Sequence, residues 1–99
     1  MPKEKYLDYI NTLIDDLKEK SKIKSDAEFA RRERWSRQML HQVRKGEVLL
    51  SDYKVIGWAK ELGRPTLEPW EIILRHKPMK QSLRETLQEL LELARRGLK

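Results

Sequence analysis

Between Ser25 and Gly46 the chain carries two helix-start signals in close succession, and this constrains its fold more than any other feature. Ser25-Asp26-Ala27-Glu28 has the form of a capping box. The Ser25 hydroxyl is placed to accept from the amide three residues on, and Glu28 to reach back to the cap amide. Ser36 opens a second helix, so only a tight turn fits between the two. Phe29 and Ala30 give the first helix an inward face, and the small Ala30 allows close approach. Winding the residues after Ser36 at about 100° per residue places Met39, Leu40 and Val43 on one side. Arg37, Gln38, His41, Gln42, Arg44 and Lys45 fall on the other. The apolar side is too narrow for a membrane face and suits docking on a small core. The polar side holds no acid, only cations and groups that hydrogen-bond base edges. That chemistry fits the major groove of double-stranded DNA. An ordinary hairpin with a solvated basic face competes with this, and the absence of acids argues against it.

The bounds agree. The 99 residues suffice for one modest core without covalent staples. There is no cysteine, which removes disulfides and thiolate metal sites and suits a reducing cytosol. A net charge of +6 biases a chain of this size towards nucleic acid or anionic surfaces. No apolar run approaches a membrane span, and the opening MPKEKYLDYINTLIDD is interrupted by acids and reads as no signal peptide. A cytoplasmic protein is expected.

Along the chain, Tyr6, Ile10, Leu13, Ile14 and Leu17 recur at helical spacing and predict a first helix from Lys3 to Lys20. Asp15, Asp16 and Glu19 are expected on its solvated face, and Ile23 plugs the junction that follows. After the acid-free helix, Gly46 suits positive φ and close approach of backbone amides to a phosphate. Ser51 caps a helix expected to bury Tyr53, Ile56, Ala59 and Leu62, with Gly57 explained by a close helix contact. Gly63-Arg64-Pro65 ends it. Leu67 to His76 forms a fifth helix with Pro69 in its first turn and Trp70, Ile73 and Leu74 on one face. His41 and His76 lie on different elements and lack a third ligand, so no metal site is expected.

Pro78 then marks a break, dividing residues 1–77 from 78–99. Ser82-Leu83-Arg84-Glu85 reads as a second capping box, and Leu83, Leu87, Leu90, Leu91 and Ala94 form a stripe with Leu93 at its flank. Such a stripe needs a partner: its own domain, a second copy of the chain in a homodimer, or a different protein. The helix is too short to stand alone.

Ala30-Arg31-Arg32-Glu33-Arg34-Trp35-Ser36-Arg37-Gln38-Met39-Leu40, then Arg44-Lys45-Gly46, then Ala59-Lys60-Glu61-Leu62-Gly63, resemble the Cro/cI helix-turn-helix family typified by lambdoid phage repressors and Cro proteins. The likeness covers roughly Tyr6 to Arg75. It implies an all-α, five-helix DNA-binding domain, here with an additional C-terminal amphipathic helix, acting as a transcriptional regulator of phage or prophage type in a bacterial cytoplasm. It implies base contacts from Arg37, Gln38, His41 and Gln42, and backbone contacts from Ser25, Ser36, Arg44, Lys45 and Gly46. Glu33 stands where the family has an aliphatic residue and Arg34 where it has the turn glycine. A left-handed Arg34 would cost about 1–2 kcal/mol, with Trp35 expected to compensate by filling the space between the helices.

Another reading places a protein-interaction module on the same fold, as in antitoxins, antirepressors or phage host-takeover proteins. An enzyme is not expected: the chain has no phosphate-binding glycine loop, no HExxH, no cysteine nucleophile and no coherent Ser/His/Asp set. No cofactor is implied.

Overall fold

The computed structural model describes residues 2–77 and 81–97, so the break expected at Pro78 lies outside the described residues. They form six helices: α1 (Pro2–Lys20), α2 (Asp26–Arg32), α3 (Arg37–Lys45), α4 (Asp52–Glu61), α5 (Leu67–His76) and α6 (Gln81–Gly97). No strand occurs among the described residues, and no helix there is long and apolar enough to cross a membrane.

Helix α1 is the central column. Its stripe of Tyr6, Ile10, Leu13, Ile14 and Leu17 is buried as its spacing predicts, and it packs on α3, α4 and α5. Phe29, Leu40, Val43, Val55 and Ile73 close the core around it, and Ile23 packs at the margin. Helix α6 touches the rest through α5.

Four helices end in the same way. A residue with positive φ follows the last turn, its amide bonds back three residues, and the next amide bonds back five, as in a Schellman closure. After α3 this residue is Gly46 (φ 79°), with Gly46 N–H on the Val43 carbonyl at 3.1 Å and Glu47 N–H on that of Gln42 at 2.9 Å. Gly63 closes α4, whereas Lys22 (φ 58°) and Arg34 (φ 61°) do the same for α1 and α2 without glycine.

Several expectations need correction. In α4 the buried residues are Val55, Trp58 and Ala59, while Tyr53 is 89% exposed. Positions 55, 58, 59 and 62 follow the i, i+3, i+4, i+7 rule of an amphipathic helix; of the expected set, Ala59 is buried, Ile56 and Leu62 are partly buried against the core, and Tyr53 lies off the face. Gly57 is exposed, and a Cβ there would meet nothing within 4 Å, so no close contact explains it. Ser82 lies inside α6 and does not cap it. On α1, Asp15 and Asp16 are not merely solvated: they pair with Arg44 and Arg64.

Gly57→Ala is expected to stabilise the fold by about 0.5–1 kcal/mol, because it gains helix propensity at an open site. Urea unfolding should show a higher midpoint at unchanged slope.

Candidate nucleic-acid interface

The turn between α2 and α3 sets how the two helices meet. Arg34 occupies the left-handed conformation that glycine adopts most easily, donating to the Arg31 carbonyl at 3.0 Å while Trp35 N–H donates to that of Ala30 at 2.8 Å. Trp35 is half-buried and meets Trp58 edge-on, centroids 5.9 Å apart. Trp58 in turn stands edge-on to Phe29 at 5.7 Å. Glu33 is drawn into this cluster. Its side chain is 8% exposed, accepts from the Trp58 indole N–H at 2.8 Å and pairs with Lys54 Nζ at 2.7 Å. Lys54 Nζ also lies 5.7 Å from the Trp35 ring centroid, a cation–π distance. The Glu33 carboxylate thus supplies the acceptor that a buried indole needs.

Helix α3 is held by its cap and its apolar side. Ser36 Oγ accepts from Met39 N–H at 3.0 Å, and Leu40 and Val43 are each 1% exposed. Outward stand Arg37, Gln38, His41 and Lys45, with Gln42 half-buried beside them. A surface hollow runs between the start of α2 and α3, and Ser25, Ala27, Arg37, Gln38 and His41 line it. Ser25 Oγ accepts from Glu28 N–H at 3.2 Å, which leaves its hydroxyl hydrogen free to donate outward. The structure therefore brings Ser25, Arg37, Gln38 and His41 onto one surface. His41 and His76 sit on α3 and α5, and no metal-holding cluster of acids and histidines occurs among the described residues.

Two of the expected backbone contacts are engaged internally. Arg44 turns towards α1. Its guanidinium reaches Asn11 Oδ1 at 2.8 Å, Asp15 Oδ1 at 2.8 Å and Asp26 Oδ1 at 3.0 Å. Asn11 Nδ2 donates to the Arg44 carbonyl at 3.0 Å, so α1 grips the end of α3 through both backbone and side chain. Carboxylates on two neighbouring helices hold the charge more firmly than water would. The amides of Gly46 and Glu47 are occupied by the helix closure, while the Lys45 side chain stands exposed.

Asp26 also lines the hollow, where a bare carboxylate would repel an anion. Lys18 Nζ stands 2.7 Å from it and Arg44 Nε 3.0 Å. Partial burial pushes its carboxyl upward, but hydrogen bonds and charge from Lys18 and Arg44 outweigh this and hold it below the usual carboxylate range.

The sequence reading leaves Asn11 unnamed and places Asp15 on a solvated face, without a partner for either. Their signal is that they lie one turn apart on the same edge of the α1 stripe, which marks a polar flank without saying which cation meets it.

Glu33→Ala leaves the Trp58 indole unpaired in the core and is expected to destabilise by about 1–3 kcal/mol. Glu33→Gln, which keeps an acceptor, should lose less; denaturant unfolding of both variants checks the order. Because Asp26 is held low in the folded chain, its contribution is complete above the unfolded value of about 3.9 and is lost as pH falls through the folded value. Asp26→Asn should therefore lower the melting temperature at pH 7 and have little effect once wild-type Asp26 is protonated. Comparison with protein-family models, curated proteins and solved structures returns no match to this chain.

Proposed function

We propose that the chain is a sequence-specific regulator that binds double-stranded DNA, with α2 and α3 forming a Cro/cI-like helix-turn-helix and α3 entering the major groove. The observation that carries this is the outer face of α3. Arg37, Gln38, His41 and Lys45 are exposed together, α3 contains no acid, and its other face is locked into the core. Gln38 offers an amide that pairs with adenine, and Arg37 a fork that pairs with guanine or a phosphate. His41 and Gln42, one turn further, extend the base-reading set. In this reading Ser25, Ser36 and Lys45 contact the DNA backbone, while Arg44 orients α3 from within. The surplus of cations over acids, +6 across the chain, supports attraction to a polyanion.

Exposed leucines on α6 favour a second reading, an interaction module on the same fold. Selection of bound duplexes from a random pool at physiological salt separates the two. Enrichment of a defined motif supports the regulator; salt-sensitive binding without enrichment overturns it.

Gln38→Ala is expected to cost about 1–3 kcal/mol on the selected site and to relax preference at one base position. Lys45→Ala should weaken all sequences alike and lower the salt slope by about one. Titrations of both variants at several salt concentrations against selected and scrambled duplexes check the division of roles.

A further inference from the structure

Beside the hollow between α2 and α3, two cations converge on a carboxylate of the same chain. Lys18 Nζ donates to Asp26 Oδ1 at 2.7 Å. Arg44 addresses both oxygens: Nη2 donates to Oδ1 at 3.0 Å, and Nε stands 3.0 Å from Oδ2. Lys18, Asp26 and Arg44 belong to α1, α2 and α3 in turn, so the fold and not the local sequence brings them together. An ammonium and a guanidinium fork aimed at two oxygens of one anion suit a phosphate as well as a carboxylate.

The carboxylate stands between these cations and the opening. Asp26 lines the hollow, which holds about 440 Å³, whereas Lys18 and Arg44 do not. Their side chains are 20% and 21% exposed, against 48% for that of Asp26. Arg44 has further anchors in Asn11 and Asp15, which keep it in place if Asp26 is removed. Lys18 Nζ meets no other acid or acceptor among the described residues, so without Asp26 its charge turns to whatever enters the hollow. Ser25, with a hydroxyl hydrogen free to donate, lines the same hollow.

We propose that Lys18 and Arg44 form a phosphate-binding site that the chain keeps filled with its own Asp26 carboxylate. Near neutral pH the plug is permanent, because its cation partners hold Asp26 ionised. It sets a ceiling on affinity, since two cations beside the outer face of α3 are withheld from the sequence-independent grip on a polyanion. That the phosphate is one of DNA rests on the proposed reading of α3; the masked site itself does not.

Asp26→Ala opens the site in the full chain. Asp26→Asn, which drops the charge and keeps the bulk, is the milder second variant, and helical circular dichroism at the assay temperature shows that each is folded. Inorganic pyrophosphate probes the site alone, read by the amide chemical shifts of Ser25 and Ala27. Half-saturation of Asp26→Ala should fall several-fold below that of wild type, and Lys18→Met in the same background should cancel the gain. On duplexes at physiological salt, Asp26→Ala should bind selected and scrambled sequences alike about three- to tenfold more tightly, with a salt slope steeper by about one. Glu92→Gln makes the same change in charge on α6 and should reproduce neither effect. Equal pyrophosphate binding by wild type and both Asp26 variants overturns the proposal, as does a gain that survives Lys18→Met or is matched by Glu92→Gln. A pyrophosphate gain without a duplex gain upholds the masked site and assigns its anion to a free phosphate. If wild type binds no duplex at all, the regulator reading falls and the pyrophosphate titration still decides the site.

Discussion

Everything in this small fold leans on the buried stripe of α1. Leu13, Ile14 and Leu17 are fully removed from solvent, and each such side chain is worth about 1.5–3 kcal/mol relative to exposure. Three other helices meet the same column. Helix α3 therefore has a fixed reference: Leu40 and Val43 lie in the core, and the clamp of Asn11 and Asp15 on Arg44 holds its far end. A helix tethered at both ends presents its outer residues as a set.

The joint between α2 and α3 keeps a tight turn without glycine. Arg34 accepts the left-handed conformation, and the neighbouring aromatics and charges make the surroundings favourable. Trp35 and Trp58 pack edge-on, Glu33 takes the indole proton in a hydrogen bond, and Lys54 balances the carboxylate while lying over the rings. The polar members of this cluster support one another, as a nearly buried carboxylate needs. Lys22 makes the same conformational concession at the end of α1.

The cations divide into two populations. Lys18, Arg44 and Arg64 are engaged by acids of the same chain, joining α1 to α2, α3 and the segment after α4. Arg37 and Lys45 stand outward. Net charge alone cannot separate these roles; only the position of the acids does.

Helix limits and caps were legible in the sequence because they depend on neighbours. Ser25, Ser36 and Ser51 each cap as expected, the α1 stripe follows its spacing, and α5 spans Leu67–His76. The outward placement of Arg37, Gln38 and His41 follows from the same local winding. What the tertiary structure decided involves residues remote in the chain. Trp58 finds its acceptor in Glu33 at a separation of 25 residues, and Arg44 turns inward because Asn11, 33 residues away, and Asp15 wait there. The division of the α6 leucines depends on where α5 lies. Periodicity names the apolar side of a helix; only the packed neighbours determine how much of that side is covered.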